Sequence, residues 1–477
     1  MKSQAALVTY RALTEMAAKG AVFLITVVAA RRLSAQAFGV FSLGSAIGWI
    51  AAVASDFGLQ LHLARAVAQR PGDADALLRT WLRVRLGMAA VAVVVVTAAL
   101  ILLNRDRPFP AAILLFVLAY MASGLVEFLH YFYRGLSRSD LESTLTLGQR
   151  LATLVLALVA LAWWRDPAAL AAGMLLPAIA TFIYSLRRAR QLARASRADH
   201  GALRVPSRVL ARAVNAEPPN PTFLADPVGS AVRAAEAPAR SIRVELQRDV
   251  LPIGAAILLS VLYLRIDVFL IELWRGTTAV GLYNAVFRLV EALRLFPAAV
   301  LAVTLPSLCR ATTLRPLARV SLAVSLFAAV ASGVLWMGAG WLIPRLYGPA
   351  YAEAVPTFRI LLLALPLMSL NYALTQQLIG WNGHRMYVGL CAAALVFNVS
   401  LNARLIPALS IEGAAWATFW TEVLLTAGCA AALWACTGRE GTAASRAITE
   451  SSTSASFSSA SSQSRPISSS ADPGSRS

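Results

Sequence analysis

Few residues in this sequence suit the chemistry of a soluble enzyme. The 477 residues include four histidines, and neither a glycine-rich phosphate loop with its lysine nor a His-Glu-x-x-His motif occurs. We therefore expect no enzymatic activity, no cofactor and no metal site. Charged residues are also scarce, at 14% against 58% hydrophobic residues. A soluble core does not need so apolar a chain, so the composition predicts a membrane protein.

Cysteine and lysine are nearly absent as well. The basic residues are arginines apart from Lys2 and Lys19, and they give a net charge of +19 in short clusters between apolar runs. This scattering lacks the continuous basic stripe of a nucleic-acid binder, so we expect no nucleic-acid partner. The spacing of the cysteines predicts packing residues rather than a zinc site. They are Cys309, Cys391, Cys429 and Cys436.

Twelve apolar stretches are long enough to cross about 30 Å of hydrocarbon as helices. The sequence therefore predicts an all-α polytopic membrane protein of about 12 transmembrane helices. The first six stretches are residues 12–33, 38–59, 84–103, 110–132, 144–164 and 167–186. The second six are residues 250–273, 278–305, 318–343, 355–379, 386–406 and 411–435.

The distribution of arginine predicts the orientation, because loops rich in Arg and Lys stay in the cytoplasm. With a cytoplasmic N-terminus, the inner segments hold most of the arginines, including five between residues 65 and 85, while each outer loop holds one or two. We therefore expect a multi-pass protein of the cytoplasmic (inner) membrane with both termini in the cytoplasm.

Two stretches are too polar to cross a membrane. A basic, proline-containing connector occupies residues 187–249, and a serine-rich tail occupies residues 437–477. Their composition predicts that both are cytoplasmic and mostly disordered. The remaining domains are then an N-terminal lobe of six helices at residues 1–186 and a C-terminal lobe of six helices at residues 250–436.

An internal repeat supports this division. Ala37–Phe41 after the first span resembles Ala279–Tyr283 after the seventh, and a shift of about 242 residues superposes the other spans. An even number of spans per lobe gives both lobes the same orientation. A pseudo-twofold axis along the membrane normal is then expected, with the substrate cavity between the lobes.

Ionisable residues inside the spans indicate where that cavity lies, because each is costly in hydrocarbon unless it faces protein or water. Arginines suit a diphosphate, since the guanidinium offers forked and permanently charged donors. We expect Arg288 to contact substrate directly and Glu291 to pair with Arg294. The predicted substrate-binding residues are Arg265, Arg288, Asn284, Lys19, Arg294, Glu291 and Asp267.

Other polar residues in the spans allow two interpretations. Ionisable residues elsewhere in the spans suit structural ion pairs as well as a cavity; they are Glu15, Glu127, Arg150, Arg359 and Glu422. Amides in the tenth and eleventh spans suit either sugar hydroxyls or hydrogen bonds between helices; they are Asn371, Gln376, Gln377, Asn398 and Asn402.

Several local motifs recur in one known order along the chain. Residues 32–41 (RLSAQAFGVF), followed by Asp56–Leu59, resemble the opening helix pair of the polysaccharide flippase branch of the multidrug/oligosaccharidyl-lipid/polysaccharide exporter superfamily. Residues 265–267 (RID) leading to Gly281–Tyr283 resemble the start of its second lobe. Two later motifs, Leu346–Gly348 and Gly413–Ala415, follow in the same order.

The resemblance implies a transporter of twelve or fourteen helices that moves undecaprenyl-pyrophosphate-linked oligosaccharide for cell-surface polysaccharide biosynthesis by alternating access. The implied partners are this lipid-linked oligosaccharide, membrane lipid and other polysaccharide assembly proteins. The long connector and the serine-rich tail depart from the family pattern. A multidrug or cation antiporter of the same superfamily, or an envelope polysaccharide polymerase or ligase, remain the alternative functions.

Overall fold

The structure of the chain is a computed structural model, which describes residues 2–103, 110–202, 251–297, 300, 315–381 and 384–461. These residues form helices and no strand. The first seven helices are α1 (Lys2–Arg32), α2 (Ala35–Asp56), α3 (Leu59–Gln69), α4 (Ala74–Leu103), α5 (Pro110–Gly135), α6 (Ser139–Trp163) and α7 (Pro167–Ala202). The others are α8 (Leu251–Leu293), α9 (Arg315–Tyr347), α10 (Val355–Gly380) and α11 (His384–Ser461). Short 3-10 helices occupy Pro71–Asp73 and Pro349–Ala354.

The two longest helices each contain a break that divides them into two spans. Gly276 in α8 has φ 78°, and Ser410 in α11 has φ 55°, so neither residue continues the helix. With these breaks, each of the twelve predicted spans coincides with a helical segment, and the part of the eighth span beyond residue 297 lies largely outside the described residues. The predicted all-α fold is confirmed. Helix α3, at 11 residues, is too short to cross a membrane.

Local signals explain where helices begin and end. The hydroxyl of Ser34 accepts a hydrogen bond from the N–H of Ala37 at 3.2 Å and so caps the start of α2. Phe57 and Gly58, with φ 44° and 84°, end the same helix in the left-handed region. We call the end of the molecule where α2 begins the predicted outer end, and the end where it finishes the predicted cytoplasmic end.

The two lobes repeat the same helix contacts. In the N-terminal lobe, α1 packs against α6, and α5 packs against α7. In the C-terminal lobe, Ser260 of the seventh span lies 3.2 Å from the hydroxyl of Tyr387 in the eleventh, and Asn371 of the tenth span bonds to Glu422 in the twelfth. The contacts in the N-terminal lobe therefore join the first span to the fifth and the fourth span to the sixth. Those in the C-terminal lobe join the corresponding spans, the seventh to the eleventh and the tenth to the twelfth, as the repeat predicts.

The lobes meet along α2 and α8. Near the outer end, a Cβ atom added to Gly39 would overlap the carbonyl of Thr277, and one added to Gly281 would lie 2.6 Å from the carbonyl oxygen of Ala35. Glycine at both positions therefore lets the two backbones touch. Aromatic rings and aliphatic side chains from both lobes surround this contact in one continuous buried cluster.

Apolar surface covers the outside of the helices. Eight helices of the described residues are long and apolar enough to cross a membrane on length and composition alone. Their outward side chains include Val91, Val94, Leu322 and Met337, all of which are exposed. Since a soluble protein rarely exposes apolar patches of this extent, the surface fits a lipid environment.

Two helices extend beyond the apolar runs that predicted them. Helix α7 continues to Ala202, and the buried side chains of Ala189 and Ala193 join a cluster with residues of α3, α4 and α5. The first residues of the connector, up to Ala202, are therefore helical, which their composition does not reveal. The rest of the connector lies outside the described residues. Helix α11 continues to Ser461, into the segment for which composition predicts disorder. The predicted domain boundaries remain predictions.

Candidate functional site

A cavity of about 700 Å³ lies between the two lobes. It runs from the predicted cytoplasmic end, where Asp56, Arg134 and Arg294 line it, to about the middle of the molecule, where Ser45 and Arg265 line it. The N-terminal wall comes mainly from α1, α2, α5 and α6, with one residue each from α3, α4 and α7, and the C-terminal wall comes mainly from α8 and α10. Its size and position fit a binding site for a ligand that crosses between the lobes.

The C-terminal wall presents two arginines held by one carboxylate. The Arg265 guanidinium donates to Glu291 at 2.6 Å, and the Arg288 guanidinium donates to the other oxygen of the same carboxylate at 3.0 Å. The side chain of Arg265 is 5% exposed, whereas those of Arg288 and Glu291 are 23% and 30% exposed. One negative charge therefore fixes two positive charges at the cavity surface, and the pair keeps N–H donors for a ligand.

The predicted pairing of Glu291 with Arg294 is wrong. Spacing along one helix placed either Arg288 or Arg294 within reach of Glu291, but Arg265 comes from the other half of α8 and occupies the second carboxylate oxygen. The backbone N–H of Arg294 bonds to the carbonyls of both Val290 and Glu291, which marks the end of the regular helix. Arg294 still lines the cavity, near its cytoplasmic end.

Two other predicted site residues do not line the cavity. Asp267 is buried and accepts hydrogen bonds from the hydroxyl of Tyr283 and from the N–H of Val268 at 2.8 Å. Asn284 is also buried and lies one helical turn from Arg288 on the side away from the cytoplasmic end. The cavity ends before that turn of the helix, where α2 packs against α8.

Lys19 is exposed and lines the cavity from α1, as predicted. The side chain of Glu15, its predicted neighbour on that helix, lies outside the described residues. With Lys19, five of the seven predicted substrate-binding residues line one cavity: the others are Arg265, Arg288, Glu291 and Arg294.

The N-terminal wall holds ion pairs that the sequence did not assign to the site. Arg85 is fully buried, with its Nε atom 3.5 Å from Asp56 and one amino group 3.2 Å from the carbonyl oxygen of Ala52. Arg134 forms a bidentate ion pair with Glu142, in which Nε lies 2.8 Å from Oε2. Both pairs lie at span ends, where sequence alone cannot distinguish a cavity residue from one in the headgroup region.

Between these pairs, the same wall carries neutral hydrogen-bonding groups. The amide nitrogen of Gln149 donates to the hydroxyl of Ser123 at 3.1 Å, and the hydroxyl of Thr146 lies 3.4 Å from Nδ1 of His130. All four residues line the cavity. Glu127 and Arg150, which the sequence left open between structure and cavity, also line it.

Three of the amides suggested as sugar ligands in the tenth and eleventh spans, Asn371, Asn398 and Asn402, form hydrogen bonds within the protein. Asn371 donates to the Glu422 carboxylate at 2.6 Å and accepts from Thr426 at 2.8 Å. Asn402 donates to Asn398 at 2.7 Å. None of the five amides of this group lines the cavity. For Asn371, Asn398 and Asn402, the geometry supports the interpretation as hydrogen bonds between and within helices.

Among the residues that the structure describes, seven basic and four acidic ones line the cavity. The basic set is Lys19, Arg85, Arg134, Arg150, Arg265, Arg288 and Arg294, and the acidic set is Asp56, Glu127, Glu142 and Glu291. Three of the four carboxylates contact an arginine within 4 Å. The excess of positive charge therefore favours an anionic ligand.

Comparison with known proteins finds one family match in the N-terminal part and a shared fold over most of the chain. Residues 6–208 match the family described as polysaccharide biosynthesis protein. No curated protein sequence matches the chain. This family match agrees with the polysaccharide-related resemblance that the motifs of the N-terminal part indicate.

Three solved structures illustrate that fold. A multidrug resistance MATE family transporter of the MOP superfamily, in an inward-facing conformation, is 14% identical with a TM-score of 0.56, covering 91% of this chain and 96% of that one. The lipid II flippase MurJ, in an inward closed conformation, is 10% identical with a TM-score of 0.51, covering 87% and 86%. The eukaryotic MATE transporter AtDTX14 is 10% identical with a TM-score of 0.53, covering 92% and 98%.

Proposed function

We propose that this protein is a flippase that moves an undecaprenyl-pyrophosphate-linked oligosaccharide across the cytoplasmic membrane for cell-surface polysaccharide biosynthesis. The observation that carries the proposal is the pair Arg265 and Arg288, held by Glu291 at the wall of a cavity between two lobes. A diphosphate would bind to the free donors of both guanidinium groups. The family description of the matching N-terminal part supports a role in making polysaccharide.

Alternating access fits the way the cavity is closed. The cavity ends near the middle of the molecule, and the contact of Gly39 and Gly281 closes the predicted outer end. A substrate entering from the cytoplasmic leaflet would reach the arginines without passing that contact. Release on the other side then requires α2 and α8 to separate at their outer ends, while the lobes rock about the cavity.

A cation antiporter of the same superfamily is less consistent with the site. Such a protein needs carboxylates available for its ligand, whereas Asp56, Glu142 and Glu291 each contact an arginine here. A cationic ligand would have to displace those arginines and approach a surface with excess positive charge.

The test is transport in proteoliposomes loaded with a fluorescent polyprenyl-diphosphate oligosaccharide. A membrane-impermeant quencher reports how fast the lipid changes leaflet. We expect Arg265→Ala and Arg288→Ala to slow transport at least tenfold, because the charge opposite the diphosphate is lost. Lysine at either position is expected to restore only part of the rate, since it lacks the forked donors.

The matched control is Arg359→Ala. Arg359 lies in α10, where its guanidinium sits 4.8 Å from the ring centre of Trp336, outside the cavity. This variant is expected to transport at the wild-type rate. If the Arg265→Ala and Arg288→Ala proteins are present at normal levels and transport at the wild-type rate, those arginines are structural. Movement of an organic cation dye without movement of the lipid would favour the antiporter.

A further inference from the structure

Trp49 occupies a distinctive position in the cavity. Of the tryptophans that the structure describes, it alone lines this space. It belongs to α2 of the N-terminal lobe and is half-buried. The guanidinium of Arg265, from the C-terminal lobe, lies 5.6 Å from the centre of its ring. An aromatic ring and the arginine to which the proposed function assigns the diphosphate are therefore neighbours across the boundary between the lobes.

This juxtaposition matches the chemistry of a sugar joined to a diphosphate. One face of a pyranose ring consists of C–H groups and is apolar, whereas its rim carries hydroxyl groups. A tryptophan ring offers a flat apolar surface for such a face at little conformational cost. Because the first sugar is bonded directly to the diphosphate, a diphosphate at Arg265 would place that sugar within reach of Trp49.

Hydrogen-bonding groups for the sugar rim lie on the same side of the cavity. Ser123 and His130 of α5, with Thr146 and Gln149 of α6, form a neutral polar strip. His130 is 6% exposed, and its Nε2 atom has no hydrogen-bond partner among the described residues. Buried polar atoms rarely remain unpaired, so this nitrogen has capacity for a ligand. The strip itself carries no charged group, although Arg134 and Arg150 of the same wall also line the cavity.

We propose that the N-terminal wall is a sugar-binding subsite in which Trp49 supports the first sugar and the α5–α6 strip binds hydroxyl or acetamido groups. The C-terminal arginines bind the diphosphate. This inference rests on the proposed function. It adds that the N-terminal lobe recognises the sugar and the C-terminal lobe recognises the diphosphate. It predicts that the sugar contributes its own part of the affinity, separable from that of the diphosphate.

Binding of two kinds of probe to the purified, detergent-solubilised full chain tests the inference. One probe is a bare decaprenyl diphosphate. The others are the same lipid diphosphate carrying a single glucosyl, galactosyl or N-acetylglucosaminyl residue. Wild-type protein is expected to bind at least one sugar-bearing probe tenfold or more tightly than the bare diphosphate. Trp49→Ala is expected to remove that preference, and to change the affinity for the bare diphosphate far less than the affinity for the sugar-bearing probe.

Three further variants keep the result interpretable. Trp49→Phe preserves an aromatic surface and is expected to retain part of the preference, and Gln149→Leu is expected to reduce it without affecting the bare diphosphate. Trp420→Ala removes a half-exposed tryptophan that lies outside the cavity, and it is expected to behave as wild type.

The possible outcomes separate the two proposals. Equal binding of all probes by wild-type protein, or an equal loss for all probes in Trp49→Ala, would overturn the sugar subsite and leave the flippase proposal standing. Failure of wild-type protein to bind any lipid diphosphate would overturn the proposed function and, with it, the subsite. Loss of the sugar preference in Trp49→Ala and Gln149→Leu, with the bare diphosphate still bound, supports the subsite.

Discussion

At the residue scale, Asn371 shows how a polar group in a membrane span can serve stability alone. Its amide nitrogen donates to the buried carboxylate of Glu422 at 2.6 Å and also to the backbone carbonyl of that residue at 2.9 Å. Neither residue lines the cavity. The pair therefore joins α10 to the second half of α11 inside the C-terminal lobe.

Replacing Asn371 with Ala is expected to lower the free energy of unfolding by about 1–3 kcal/mol, because a buried carboxylate loses its hydrogen-bond partner. The transport rate per folded molecule is expected to remain unchanged. Thermal unfolding in detergent measures the first quantity, and proteoliposome transport measures the second. Ser400→Ala, which removes an exposed hydroxyl bonded to its own helix, is the matched control and should unfold as wild type. Equal stability of the two variants would contradict the structural role.

Single residues of the site were partly predictable from sequence. Arg265, Arg288 and Glu291 were identified because an ionisable residue in an apolar run requires an explanation. Asp267 was identified for the same reason, but its partner Tyr283 is sixteen residues further along the chain. Sequence spacing does not reveal that contact, so Asp267 was assigned to the cavity. Trp49 escaped notice because a tryptophan in a span is ordinary until its neighbours are known.

At the scale of helices, the contact between α2 and α8 depends on glycine. Gly281→Ala would place a methyl group 2.6 Å from the carbonyl oxygen of Ala35 and 3.1 Å from the nitrogen of Gly39. Backbone atoms cannot rotate away as a side chain can, so the helices must separate. We expect this variant to lower the unfolding temperature in detergent.

Gly338→Ala is the matched control, since a Cβ atom at that position in α9 meets nothing within 4 Å. Alanine is preferred to glycine inside a helix by roughly 0.5–1 kcal/mol, so this control is expected to be neutral or slightly stabilising. If Gly281→Ala and Gly338→Ala shift the unfolding temperature in the same direction, the α2–α8 contact is looser than the structure indicates.

Helix positions were predictable because twelve apolar runs of spanning length determine them. The extent of several helices was not. The last turns of α7 contain many arginines and lack an apolar run, yet Ala189 and Ala193 are buried against the helices beside them. Burial of two small residues leaves no hydrophobic signal in the composition, so the sequence assigned this stretch to a disordered connector.

At the scale of the whole molecule, the orientation in the membrane stays a prediction. Ala195 is exposed on the extension of α7 at the predicted cytoplasmic end, and Trp164 is exposed at the opposite end. In a background with all four cysteines replaced by alanine, Trp164→Cys is expected to react with an impermeant maleimide in intact cells. Ala195→Cys is expected to react only after the membrane is permeabilised, because basic segments stay in the cytoplasm. The reverse pattern of labelling would invert the topology.

The two-lobe architecture was predictable from the repeat, and the packing of the lobes was not. Repeat spacing relates the first span to the seventh and the second to the eighth. It does not show that α2 and α8 touch through glycines or that the cavity closes before Asn284. Those features depend on side-chain sizes at an interface between segments about 240 residues apart in the chain.

The two walls of the cavity come from opposite halves of the chain, so each wall can change in evolution without the other. Under the proposed division of recognition, substitutions confined to α2, α5 and α6 would retune the part that meets a new sugar, while Arg265, Arg288 and Glu291 remain under unchanged selection. Recombination within the connector would exchange one wall in a single event, without rebuilding the other.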